Sequence, residues 1–142
     1  MKSTLPKGLI VLAIFLMISS AWAIRFLARS DAHMIFFGHV LSGLSFKAYY
    51  AGLSITNVII AVGLLNRRRW SYVGYFIITA WCAFLAIVNV CVTTNDALIQ
   101  SGWKHADNLS SFRTIQGLGV VLIVGMAFWL FCYRRQFQSG NR

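Results

Sequence analysis

The sequence predicts an all-α membrane protein: a four-helix transmembrane bundle with a short interfacial helix after the first span. Hydrophobic residues make up 58% of the chain and charged residues only 11%, against roughly 25% charged residues in soluble domains. The apolar residues form four continuous runs rather than short alternating segments, which favours helices over a closed barrel. With 142 residues in all, we expect one domain.

Each of the four runs is long enough to cross a bilayer core of about 30 Å as a helix. Arg67, Arg68 and Arg69 separate the second run from the third. Because three adjacent cations are costly in hydrocarbon, we expect a hairpin turn at a membrane surface there. The predicted spans are about residues 8–28, 48–65, 70–92 and 112–133.

The first run contains Ala21-Trp22-Ala23, which has the small-x-small form of a signal-peptidase site. Cleavage there would leave three spans. Apolar residues continue beyond this site through Ile24 and Leu27, so we expect the segment to remain as the first transmembrane helix.

The two segments that follow the first and third spans are predicted to contain short helices. Residues 29–47 have Asp31 as a suitable helix cap and a set of apolar residues at three- and four-residue spacing. These apolar residues are Met34, Phe37, Leu41 and Leu44. The pattern predicts a helix that lies in the membrane interface or covers the end of the bundle as a lid. In the later loop, Thr94-Asn95-Asp96 is expected to cap another short helix that continues through Trp103.

The positive charges indicate the orientation of the bundle. With four spans, one side has eight cations and no acid, and the other has five cations and all three aspartates. The positive-inside rule therefore predicts a protein of the plasma (bacterial inner) membrane with both termini cytoplasmic. Five arginines on the cationic side should also hold anionic lipid, at about 1 kcal/mol per cation. They are Arg67, Arg68, Arg69, Arg134 and Arg135. No nucleic acid is expected as a partner.

Several polar or large aromatic residues fall within or near the spans and are candidates for lining a cavity. They are Asn57, Trp81, Asn89, Arg113 and Gln116. One interpretation is the wall of a lipid- or quinone-sized cavity. We favour the other, in which the polar side chains form interhelical hydrogen bonds worth about 0.6–2 kcal/mol each.

The sequence shows little support for a metal site, a redox site or a catalytic site. His33, His39 and His105 lie in predicted loops without a typical ligand spacing and are weak metal candidates, so we expect no metal and no cofactor. Cys82 and Cys91 are about 13 Å apart along one helix, which is beyond disulfide reach. The chain thus lacks the cysteine pair of four-helix membrane thiol oxidoreductases. It also lacks glutamate, on which small multidrug transporters depend.

The expected function rests on small residues, which let helices approach closely in a membrane. In the second span they recur every four residues at Ala48, Gly52 and Thr56. In the fourth span Gly117 and Gly125 lie four residues on either side of Val121. We therefore expect a non-enzymatic accessory or oligomer-forming subunit of an inner-membrane assembly, with itself or another membrane protein as partner. The alternatives are a small transporter, channel, or lipid- or quinone-binding protein, and an immunity-type protein against a pore-forming toxin. The last rests on size alone.

Overall fold

The computed structural model of the chain describes residues 6–28, 33–101 and 109–138, of which 84% are helical. Its elements are α1 (Lys7–Leu27), β1 (His33–Phe36), β2 (His39–Ser42), α2 (Gly43–Leu65), α3 (Arg69–Val92), α4 (Asn95–Gln100), α5 (Leu109–Cys132) and α6 (Arg134–Gln138). Four helices, α1, α2, α3 and α5, are long and apolar enough to cross a membrane. The predicted helical fold with four candidate spans is confirmed.

The long helices alternate in direction and pack in two pairs. α1 packs chiefly against α2, α5 packs against α3, and α2 contacts α3. The start of α1 and the end of α5 meet where Tyr133 lies against Gly8. We call this end, which also holds Arg67–Arg69 and α6, the arginine end. The opposite end, which holds β1 and β2, is the hairpin end.

The larger core lies toward the arginine end. Its buried residues are Leu9, Leu12, Ala13, Leu16, Ile60, Ala61, Leu64, Tyr75, Leu130 and Phe137. α1 contributes four of these residues and continues without a break through Ala21-Trp22-Ala23 to Leu27. Loss of α1 would therefore expose the apolar surface that α2 buries against it.

The predicted arginine turn joins α2 to α3 by a compact set of backbone hydrogen bonds. Arg67 takes a left-handed conformation with φ of 52°. Its N–H donates to the carbonyl of Leu64, and the N–H of Arg68 donates to the carbonyl of Gly63 at 2.9 Å. These two bonds form a Schellman motif, which satisfies the last carbonyls of α2. Gly63 itself lies so close to Ser71 that α2 and α3 touch at the turn.

The interfacial helix predicted after the first span is wrong. Residues 33–42 form an antiparallel β-hairpin, in which Met34 pairs with Leu41 and Ile35 with Val40. Phe37 and Gly38 form its two-residue turn, both with positive φ, at 51° and 77°, as a type I′ hairpin turn requires. Side chains alternate with a period of two along each strand, and the two-residue turn interrupts that alternation. The apolar residues of the two strands and the turn therefore fall at a spacing that resembles a helix.

One boundary near this hairpin also differs from the prediction. α2 begins at Gly43 rather than near residue 48, so Lys47 belongs to the helix. The predicted start of α4 is confirmed, since the Thr94 hydroxyl accepts a hydrogen bond from the N–H of Ala97 at 3.3 Å. α4 ends at Gln100, and Trp103, its predicted end, lies outside the described residues. β1, α4 and α5 share a second, smaller core of Ile35, Leu98 and Phe112.

Candidate functional site

The side chain of Asn89 holds the hairpin against α3. Its amide nitrogen donates to the carbonyl of Ile35 at 2.9 Å. Its amide oxygen accepts from the N–H of Gly38 at 3.3 Å. Asn89 is 4% exposed; its bond to Ile35 is buried, and its bond to Gly38 is partly buried. An irregular backbone near a membrane needs protein partners of this kind. The partners of Asn89 lie in the β-hairpin and not in another long helix, so its hydrogen bonds are not the interhelical ones that the sequence led us to favour.

Aromatic rings pack around the same hairpin. Trp81 donates from its indole nitrogen to the Tyr49 hydroxyl at 3.3 Å, and Phe36 lies 5.2 Å from the Tyr49 ring, centroid to centroid. Phe37 contacts the rings of both Trp81 and Phe84. A bulky residue with positive φ is strained. The ring contacts of Phe37 with Trp81 and Phe84 offset this strain.

A cavity of about 300 Å³ lies behind the hairpin. We call it the hairpin cavity. Its lining is His33, Met34, Ile35, Tyr50, Cys82, Leu85, Ala86, Asn89, Ser101, Phe112 and Gln116. Polar and apolar side chains are mixed on its wall, as in sites that orient a small amphipathic molecule. Gln116 has no hydrogen bond to any other residue in the described part of the chain.

A second, smaller cavity of about 120 Å³ lies between the long helices. We call it the bundle cavity. All four long helices line it, including Asn57 on α2, Thr79 on α3 and Met126 on α5. Asn57 thus faces the interior, as the sequence suggested, yet within the described ranges its amide has no hydrogen-bond partner. Cys82 lines this cavity and the hairpin cavity alike, so the two are adjacent across one side chain.

The other two predicted cavity residues, Trp81 and Arg113, line neither of these two cavities. Trp81 belongs to the aromatic packing around the hairpin, 40% exposed, and not to the lining of either cavity. Arg113 is exposed near the start of α5. Of the five predicted residues, Asn57, Asn89 and Gln116 therefore lie on cavity walls. The side-chain amide of Asn89 already forms hydrogen bonds to the hairpin.

The histidines and cysteines are not gathered into a cluster among the described residues. His33 lines the hairpin cavity, whereas His39 lies by a separate surface depression with Asp96. His105 lies outside the described residues. No group of three His, Cys, Asp or Glu residues in the described ranges is placed to hold a metal. Cys82, Cys91 and Cys132 are free thiols.

The predicted lipid-binding arginines lie at the arginine end. Arg68, Arg69, Arg134 and Arg135 are exposed there, and Arg67 is partly buried. Arg69 and Arg134 line a common cavity.

Cys82 and Tyr50 line the hairpin cavity but are not among the cavity residues predicted from the sequence, and His33, which also lines it, was a candidate only for metal binding. A signal for Cys82 existed, because it lies seven residues before Asn89 and so on the same face of α3. Tyr50 and His33 have no comparable signal in the sequence. Their convergence depends on the hairpin, which the sequence did not predict.

No protein-family model, curated protein or solved structure matches the chain. Its class follows from the fold itself. Four helices that are long and apolar enough to cross a membrane are compatible with a membrane-embedded, multi-pass protein.

Proposed function

We propose that the protein is a non-enzymatic, multi-pass subunit that works by helix contacts, either with its own copies or with another membrane protein. We place it in the plasma (bacterial inner) membrane, with the arginine end and both termini cytoplasmic. The distribution of Lys and Arg supports this orientation. Reporter fusions at each terminus test it, and a reporter active only outside the cytoplasm that works at the C-terminus would contradict it.

The observation that supports the subunit proposal is the outward face of α5. α5 turns Phe112 and Leu130 into the protein, the two residues of this helix that are buried. Gly117, Val121 and Gly125 lie on the opposite side, since residues at i, i+4 and i+8 share a face.

This face has room for a neighbouring backbone. Val121 is 67% exposed, and a Cβ built on Gly117 or Gly125 would meet no atom within 4 Å. Gly52 on α2 is open in the same way. Small residues on an exposed transmembrane face allow a second helix to approach closely, which large lipid-facing side chains do not.

Replacing both Gly117 and Gly125 with leucine is expected to shift the protein from oligomer to monomer, because two large side chains would hold the partner helix away. A matched control is Ile115→Phe with Leu122→Phe, which enlarges exposed residues on a neighbouring face of α5. Crosslinking in native membranes and size-exclusion chromatography with light scattering measure the change. A wild-type protein that is monomeric and recovers no membrane partner would contradict the proposal, as would equal effects of the two variants.

The hairpin cavity favours a second candidate function, the binding of a lipid- or quinone-like molecule. About 300 Å³ is the lower end of the size of small-molecule sites. Gln116, whose amide has no hydrogen bond within the described residues, offers a polar group on its wall, and Phe112 offers an apolar surface.

We expect Gln116→Trp to fill the hairpin cavity and to lower the amount of any co-extracted lipid or quinone by roughly tenfold, a loss of about 1.4 kcal/mol. Mass spectrometry of small molecules extracted with the protein in native nanodiscs measures this. Ile115→Trp, on the exposed side of α5, is the control. Equal ligand content in both variants and wild type would remove this candidate.

A further inference from the structure

Two arginines from distant parts of the chain meet at the arginine end. Arg69 is the first residue of α3, and Arg134 is the first residue of α6. Together with Tyr72, Val73 and Phe137 they line a cavity of about 220 Å³. Both arginine side chains are exposed, so the cavity is accessible from outside the protein.

The position of Arg134 is set by packing. Phe137, one turn further along α6, is 3% exposed and belongs to the larger core. Its ring lies 5.2 Å from the ring of Tyr72, centroid to centroid. The Arg134 guanidinium lies over the ring of Phe131, with 4.6 Å between its central carbon and the ring centroid. α6 is therefore held against α3, and Arg134 stays beside Arg69.

The positive charge of this cavity is not neutralised by an acid in the described part of the chain. Asp96 is the one acid within the described ranges, and it lies on α4 at the hairpin end. Two like charges that share a small cavity repel each other. An anion between them would remove this repulsion.

The surroundings favour a lipid over a free anion. After Arg69, α3 continues toward the hairpin end with the apolar residues Val73 and Ile77, which are 55% and 64% exposed. These residues are one turn apart and so lie on one side of the helix. A molecule with a phosphate group and an apolar tail would contact both the cations and this apolar surface.

We propose that the cavity between Arg69 and Arg134 binds the phosphate-bearing headgroup of an anionic phospholipid. Guanidinium groups suit this role, because their planar donors match the geometry of phosphate oxygens. Tyr72 and Phe137 form the floor of the site, and the acyl chain lies along Val73 and Ile77. The site is discrete and goes beyond the subunit function proposed above, since it requires two named arginines rather than the whole set of cations.

The test is a titration of the full chain, purified in a neutral detergent, with phosphatidylglycerol, followed by native mass spectrometry. One basic side chain near an anionic lipid surface corresponds to about a five-fold change in affinity. We therefore expect Arg69→Gln and Arg134→Gln each to weaken binding about five-fold, and the double variant on the order of twenty-fold. Arg68→Gln is the matched control, because Arg68 is exposed and adjacent to Arg69 but does not line the cavity. It should change binding less than about two-fold.

Two further titrations distinguish the source of the phosphate and the specificity of the site. Phosphatidylcholine, a zwitterionic lipid, should bind weakly, and inorganic phosphate should neither bind detectably nor displace the lipid. Equal losses in Arg68→Gln and Arg69→Gln would overturn the proposal in favour of diffuse attraction. Binding of inorganic phosphate as tight as that of phosphatidylglycerol would overturn the assignment to a lipid. The arginine variants should keep the oligomeric state of the wild type, so this result is separate from the test of the α5 face.

Discussion

Replacing Asn89 with leucine should destabilise the protein by about 2–4 kcal/mol and release the hairpin from α3. Leucine has nearly the size of asparagine but cannot pair with the backbone of the hairpin. The carbonyl of Ile35 and the N–H of Gly38 would both lose their partner, and a buried polar group without a partner costs about 1–3 kcal/mol. Unfolding in a mixed-detergent titration measures the loss.

Asn57→Leu is the matched control for this prediction. Asn57 lies on the wall of the bundle cavity and has no hydrogen bond within the described residues. Its replacement should change the free energy of unfolding by less than about 1 kcal/mol, the range of single polar contacts in membrane proteins. Equal losses in the two variants would show that Asn89 is not the residue that holds the hairpin.

Cys82 provides a local readout of the same event, because it lines the hairpin cavity. In a chain with Cys91→Ser and Cys132→Ser, which removes the two exposed thiols, Asn89→Leu should speed the reaction of Cys82 with a water-soluble thiol reagent. A loss of 1.4 kcal/mol in hairpin docking corresponds to about a tenfold higher open population. An unchanged rate together with a lower stability would mean that the hairpin stays in place.

Gly63→Val is expected to destabilise the protein by about 1–3 kcal/mol, the usual cost of forcing extra atoms into a packed site. A Cβ on Gly63 would lie 2.5 Å from the Cβ of Ser71 and 2.6 Å from the ring of Trp70. Both neighbours belong to the first turn of α3, so α2 and α3 would have to separate at the arginine turn. The same unfolding titration measures this effect.

Gly52→Val on the same helix is the control, since a Cβ there meets nothing within 4 Å. It should change stability by no more than about 0.5 kcal/mol, as surface substitutions usually do. A loss of similar size in both variants would indicate a general intolerance of valine in α2 and not a close approach at Gly63.

The number of long apolar helices and the presence of a turn at the three arginines could be predicted from the sequence, and the structure confirms them. A helix that crosses hydrocarbon must be apolar over about 20 residues, so the length of each apolar run indicates the length of the helix. Cations interrupt the apolar runs, as Arg67–Arg69 do, because they are costly in hydrocarbon. The cap of α4 was also visible, because Thr94 acts on a residue only three positions away.

Only the tertiary structure decided what lies at the two ends of the bundle. The hairpin depends on Asn89, which is 51 residues beyond Gly38 in the chain, and on ring contacts between Phe37 and α3 that offset its strained backbone. Local spacing does not encode such distant partners, so the segment resembled a helix. Likewise, the sequence presented five arginines as equivalent, whereas packing of Phe137 brings Arg134 to the same cavity as Arg69. Apolar length is a local property of the chain, but the pairing of polar groups is decided by which elements meet in three dimensions.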